Sequence, residues 1–222
     1  MLKENLEKVI SEIKNGNNLG EKIYLVGATK MVDTETINTA ISLGLNIVAE
    51  NKVQEFREKT EFIKGAEQQF IGHLQTNKVK YLVGKVSLIQ SVDSLHLAEC
   101  IDKEALKKGV KQQILCEINI GGELSKSGFS LENAYLSIKQ LSKLENIKIV
   151  GLMAMLPPST DKELLISLCK KMRSLYESFI NEGFDFKYLS VGMSGDYKIA
   201  IENGSNMIRI GSGIFGKRNY NI

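Results

Sequence analysis

Tryptophan is absent from this chain of 222 residues, and proline occurs twice, as the adjacent pair Pro157-Pro158. That leaves no Pro-rich spacer and little room for a disordered linker. The three cysteines, Cys100, Cys116 and Cys169, are odd in number and far apart, without metal-knuckle spacing. They read as reduced, mostly buried thiols of a cytosolic protein. Only two histidines are present, His73 and His96, so no histidine-based metal site is expected. No window approaches the roughly 18 apolar residues of a membrane span. The segment Met1-Leu2-Lys3-Glu4-Asn5-Leu6-Glu7 is charged throughout, unlike a signal peptide. A formal charge of +3, small and dispersed, argues against a nucleic-acid partner. The expectation is a soluble cytoplasmic protein with one domain over 1–222.

What is present is a regular alternation. Apolar runs over 23–28, 45–49, 69–71, 87–90, 113–120, 147–153, 188–191 and 206–210 read as short strands. Helical spacing predicts helices over 2–13, to Ser42 after Asp33, then over 52–62, 77–82, 94–107, 130–144, 161–180 and 196–202. Candidate helix caps are Asp33, Asp93 or Ser94, and Ser130. Eight strands with helical crossovers between them predict an α/β fold, a single-domain (β/α)8 barrel of the TIM type. An open doubly wound sheet usually carries a glycine-rich turn after its first strand. Here that place reads Gly27-Ala28-Thr29-Lys30-Met31, with no G-x-G-x-x-G.

Lys30 therefore stands at the carboxyl edge of the first strand, where parallel α/β folds bind ligands. Desolvation there frees an amine lone pair for Schiff-base chemistry; the plain alternative is a surface lysine. The loops after the seventh and eighth strands are Gly192-Met193-Ser194-Gly195-Asp196 and Gly211-Ser212-Gly213-Ile214-Phe215-Gly216. Each alone reads as a turn. Together they occupy the two places where barrels hold phosphate on backbone amides, with Ser194 offering a hydroxyl. Arg209 shares a face with Met207. Inward it needs a ligand or a carboxylate; outward it would bridge to a helix. Ring closure makes the last strand a neighbour of the first, about 4.8 Å away. A flat aldehyde ring with a phosphate arm spans that gap, and pyridoxal 5′-phosphate fits the description.

Other positions divide between two roles. His73 either contacts a cofactor or substrate, or bonds a neighbouring backbone group. Asn51 either orients ring or lysine, or caps its loop. Asn119 and Met153 read as packing at the pocket floor, and Lys126 as a solvated charge. Tyr24 is expected to be structural at the far end of the barrel. The apolar stripe of the 161–180 helix is read as core.

The chain resembles a known family, the single-domain pyridoxal phosphate-binding proteins of the YggS/PROSC type, or pyridoxal phosphate homeostasis proteins. The matching stretches run almost end to end. They are 26–30, Ala49-Glu50-Asn51-Lys52-Val53-Gln54-Glu55, Phe70-Ile71-Gly72-His73-Leu74-Gln75-Thr76-Asn77-Lys78, 119–128, Gly151-Leu152-Met153-Ala154-Met155, 189–196 and 207–216. The resemblance implies a barrel like the alanine racemase N-terminal domain, with Lys30 as the Schiff-base lysine. It also implies that Ser194, Gly211 and Ser212 hold the phosphate and that Arg209 approaches the pyridine nitrogen. Gly195, which lets backbone amides approach an anion closely, and Asn51 and His73 complete the expected cofactor-binding set. Met31-Val32 departs from the Thr-Lys-Pro or Thr-His-Pro often found at the lysine.

The function implied is to hold pyridoxal phosphate on Lys30, buffering it or delivering it to apo-enzymes, without dedicated turnover and as a monomer. With Ile222 shortly after Gly216, no second domain is expected to close the site against water. Two alternatives stand beside this: a racemase-class enzyme with His73 or a dimer partner as second acid or base, and a Schiff-base aldolase of sugar phosphates.

Overall fold

The computed structural model describes residues 1–123 and 127–216. Helix α1 (Leu2–Ile13) precedes β1 (Tyr24–Ala28), α2 (Thr34–Ser42), β2 (Ile47–Glu50), α3 (Val53–Lys59) and β3 (Glu67–Phe70). A 3-10 helix (Thr76–Tyr81) leads to β4 (Leu88–Val92), α4 (Leu95–Lys108), β5 (Gln112–Asn119), β6 (Phe129–Ser130) and α5 (Leu131–Leu141). Then come β7 (Ile147–Ala154), α6 (Lys162–Asn181), β8 (Tyr188–Met193), α7 (Tyr197–Glu202), β9 (Met207–Ile210) and α8 (Ser212–Phe215). The strands are ordered β4-β3-β2-β1-β9-β8-β7-β5, and β4 also pairs with β5, so eight parallel strands close into a barrel. The two-residue β6 continues the edge of β5 beyond β4, pairing Phe129 with Ile118, past Cys116, where β4 ends at Val92. The expected barrel is what the chain builds.

Local chemistry explains the helix starts. Asp33 accepts from the Thr36 N–H (2.8 Å), Ser94 from Leu97 (3.3 Å) and Ser130 from Asn133 (3.3 Å), each satisfying a donor that a first turn leaves free. Several limits differ from the periodic reading. The helix expected over 52–62 stops at Lys59, and the one over 130–144 at Leu141. The 77–82 segment is 3-10 rather than α, too short to pay for an α nucleus. Neither β6 nor α8 has a periodic signature at its length.

Alternation along each strand separates two cores. Val26, Ile47, Ala49, Leu88, Leu115, Val150, Met153 and Met207 fill the barrel interior. Val48, Ile208 and Ile210 face outward to the helices. The stripe of α6 (Leu165, Leu168, Met172, Tyr176 and Phe179) is buried against the outside of the sheet, as expected. Val150 and Met153, three apart, both point inward because the β5–β7 register slips between Ile114 and Cys116. Gly151 makes this possible, with φ at 149° and no room for a Cβ, which would lie 1.8 Å from the Tyr188 carbonyl oxygen. At the amino end of the barrel Tyr24 meets Tyr188 edge to face, with centroids 4.9 Å apart. That is the structural place expected for Tyr24. Among the described residues no helix is long and apolar enough to cross a membrane.

Candidate functional site at the carboxyl edge of the barrel

The eight residues singled out from the sequence (Lys30, Asn51, His73, Ser194, Gly195, Arg209, Gly211 and Ser212) all line one cavity of about 420 Å³. They arrive from five strand ends. Lys30 follows β1, half-buried; Asn51 follows β2; His73 follows β3; Ser194 and Gly195 follow β8; Gly211 and Ser212 follow β9. Ala28, Ile71, Met155 and Met193 complete the walls with apolar surface. A wider cleft of about 960 Å³, bordered by the Leu156–Thr160 loop and Asp196, meets the cavity at Met155, Met193 and Gly195.

Arg209 points into the barrel, on the Met207 side of β9, and is 4% exposed. The outward alternative is ruled out. Its Nη1 donates to the Ser190 carbonyl (2.8 Å) and hydroxyl (2.6 Å), and its Nη2 donates to the Ala154 carbonyl (2.9 Å). Those bonds use three of the five N–H groups a guanidinium carries, on a side chain that also lines the cavity. Burial pushes the guanidinium down to about 10, against the pull of Glu117 and Asp196. It remains a cation at neutral pH. The Ser190 hydroxyl donates in turn to Gln90 Oε1 (2.7 Å), and Gln90 Nε2 donates to Gln69 Oε1 (2.7 Å). A fixed positive charge thus sits under the cavity, anchored by a polar chain through the barrel core.

The loops after β8 and β9 form a cup lined by a hydroxyl and backbone N–H groups. The Met193 N–H donates to Asp196 Oδ1 (2.6 Å), and the Asp196 N–H donates to the Met193 carbonyl (3.1 Å). This tight turn presents Ser194 and Gly195. The Gly213 N–H donates to Ser194 Oγ (3.1 Å), joining the two loops and leaving the hydroxyl proton of Ser194 to donate elsewhere. The first turn of α8 contributes N–H groups that no helical carbonyl can reach. At the end of β2 the Asn51 amide oxygen is buried without a hydrogen-bond partner, the kind of atom a bound group completes.

His73 is largely exposed at the rim, with Nδ1 3.4 Å from Asp93 Oδ2. Glu117, on the inner face of β5 two residues after Leu115, is 5% exposed. Burial pushes its carboxyl up, the Asp93 charge adds to that, and Arg209 and His73 oppose it. Sequence reasoning missed both acids. Asp93 was legible only as a helix cap, although it follows a strand end as Lys30 and His73 do. The signal for Glu117 was one charge inside the apolar 113–120 run. Of the secondary candidates, Met153 packs in the barrel interior, and Asn119 donates to the Glu123 carbonyl (2.8 Å), bracing its own loop. His96 is exposed on α4. Lys126 lies outside the described residues.

The sequence profile of the alanine racemase N-terminal domain matches residues 4–219. The chain belongs to that family. A pyridoxal phosphate homeostasis protein of Aquifex aeolicus is 40% identical over 220 residues, which is 98% of this chain and 95% of the relative. The structure of PipY from Synechococcus elongatus with pyridoxal phosphate bound is similar, at a TM-score of 0.85 and 26% identity. That match covers 97% of this chain and all of the other. An alanine racemase of Clostridium difficile shares the fold at a TM-score of 0.77 and 18% identity, with 98% of this chain laid over 58% of that one.

Proposed function

We propose that this chain is a pyridoxal phosphate-binding protein of vitamin B6 homeostasis, holding the cofactor through Lys30. The observation that carries the reading is the convergence of a lysine amine, a two-loop anion cup and a buried guanidinium on one cavity. The residues fit the group. Ser194, Gly195, Gly211 and Ser212 offer a hydroxyl and backbone N–H groups to a phosphate. Asn51 offers a polar atom that lacks a partner. Arg209 brings a positive charge toward the ring position. When bound, pyridoxal phosphate supplies an electrophilic aldehyde conjugated to an electron-withdrawing ring.

The protein's own groups favour retention over turnover. A cationic Arg209 near the ring nitrogen disfavours its protonation and so weakens the ring as an electron sink. The cavity opens into the wide Met155–Asp196 cleft, so water reaches the mouth that carbanion chemistry needs dry. The Aquifex and Synechococcus relatives, one named for homeostasis and one solved with the cofactor, support the same reading. We further assign the whole chain, 1–222, to one domain acting as a cytoplasmic monomer, and apo-enzymes that need the cofactor as its recipients. A racemase-class activity is favoured by one feature, the His73–Asp93 pair at the mouth, which could take up a proton.

The test is a visible spectrum of protein loaded with pyridoxal phosphate and freed of excess, wild type beside Lys30→Ala. A yellow band in the wild type alone, fixed by borohydride, is expected; its absence overturns the cofactor reading. Incubation of loaded protein with L-alanine and L-serine is expected to leave both enantiomerically pure, whereas sustained racemisation would establish the enzyme instead.

A further inference from the structure

Lys30 is flanked by Thr29 and Met31, and both neighbours are tied to the same ammonium cluster. The fully buried Thr29 hydroxyl donates to Glu50 Oε1 (2.8 Å), and the Thr29 carbonyl accepts from Lys59 Nζ (3.1 Å). On the other side the Met31 N–H donates to Glu55 Oε2 (2.7 Å). Lys59 Nζ also donates to Glu50 Oε1 (2.9 Å) and Glu55 Oε2 (2.9 Å). All three N–H groups of one ammonium are thereby engaged: one on the backbone before Lys30, one on a carboxylate that holds the backbone after it, and one on the carboxylate that holds Thr29.

As a stability device this cluster is poor. Side-chain exposure is 13% for Lys59, 3% for Glu50 and 17% for Glu55, so three charges leave water together. Glu50 keeps one carboxylate oxygen buried with no partner, and burial pushes its carboxyl up. Apolar side chains of similar volume would fill the space at lower cost. The cluster provides geometry instead. Met31 is held at φ 59°, a left-handed backbone that a methionine adopts only under constraint. From the stretch Ala49–Glu55 the cofactor reading uses Asn51 alone, so its two glutamates are otherwise unexplained.

We propose that Lys59, through Glu50 and Glu55, is a positioning residue that clamps the backbone on both sides of Lys30 and thereby aims its amine. The inference rests on the reading of Lys30 as the lysine that carries pyridoxal phosphate. A lysine amine stands a four-carbon stem away from its Cα, so a small backbone rotation becomes a large displacement at the reacting atom. Misplacement by about 1 Å costs on the order of a hundredfold in such chemistry.

The experiment compares wild type, Lys59→Met, Lys59→Arg and Glu55→Ala. In the apo-proteins, hydrogen exchange of the Met31 amide is followed, with thermal midpoints recorded alongside. Pyridoxal phosphate affinity is then measured by the visible band. Lys59→Met is expected to expose the Met31 amide and weaken cofactor binding about ten- to a hundredfold, and Lys59→Arg is expected to restore both. Glu55→Ala, at the least buried corner, should do the same by removing the Met31 acceptor, and it stands in if Lys59→Met does not fold. Wild-type affinity in a folded Lys59→Met or Glu55→Ala overturns the clamp, as does lost affinity with unchanged exchange at Met31. If wild type itself fails to bind through Lys30, the cofactor reading falls, while the exchange data still show whether Lys59 holds the two flanks.

Discussion

Arg209 is bonded twice to Ser190 on the neighbouring strand, once at the carbonyl and once at the hydroxyl, and the hydroxyl passes its own proton on to Gln90. The buried guanidinium is therefore aimed by a serine. Replacing Ser190 by alanine leaves the Gln90 oxygen and one guanidinium N–H without their partner in a dry site. A loss of about 1–3 kcal/mol is expected, read from denaturant midpoints, together with weaker cofactor binding. A variant as stable as wild type would mean that the chain through Gln90 is not under tension from Arg209.

The close approach of β7 and β8 at Gly151 gives the largest single effect. An alanine there would meet the Tyr188 carbonyl at 1.8 Å, in a backbone conformation side chains rarely adopt. Gly151→Ala is expected to cost about 3 kcal/mol or more, seen as a lowered thermal midpoint or as insoluble protein. A normal midpoint would show that the two strands separate freely.

Met31 makes an opposite prediction. It is exposed and left-handed, so Met31→Gly removes a steric cost while keeping the N–H that Glu55 accepts. Stability is expected to rise by up to about 1 kcal/mol. Met31→Ile, branched at Cβ, is expected to lower it by a similar amount. Equilibrium unfolding of the pair decides the matter, and equal midpoints would refute it.

Acid sensitivity should follow Glu21. Burial works to raise its carboxyl, but the Arg173 fork (2.8 and 3.0 Å) and Asn17 overrule it and hold it below the usual glutamate range. A lowered folded pKa gives stability that is complete above the unfolded value and is lost as pH falls through the folded one. Glu21→Gln is expected to cost about 1–2 kcal/mol at neutral pH. Its midpoint should converge on the wild-type value as pH falls into the acid range. A gap that persists in acid would assign the loss to packing rather than charge.

The features legible in the sequence were those encoded locally. Asp33, Ser94 and Ser130 announce their helices because a cap acts within three residues. Met207 and Arg209 share a face because a strand alternates, although only the closed ring shows that the face is inward. Lys30, Asn51, His73 and the two glycine loops were legible as strand ends, and ring closure brings them to one cavity. What stayed hidden depends on contacts between elements. Nothing local marks Lys59 as the partner of Glu50, or Asp93 as the partner of His73. The slipped register at Gly151 breaks the two-residue period, so Val150 and Met153 could not both be read as interior.

Pairing of β1 with β9, Val26 opposite Arg209, carries a consequence for the life history of the protein. The lysine is translated well before the loops that form the cup. A nascent chain emerging from the ribosome has its amine long before it has anywhere to seat a phosphate. On the proposed reading of Lys30, loading waits until synthesis has delivered the last strand. On that same reading, a ligand that bridges those two strands also fastens the seam at which the ring closes.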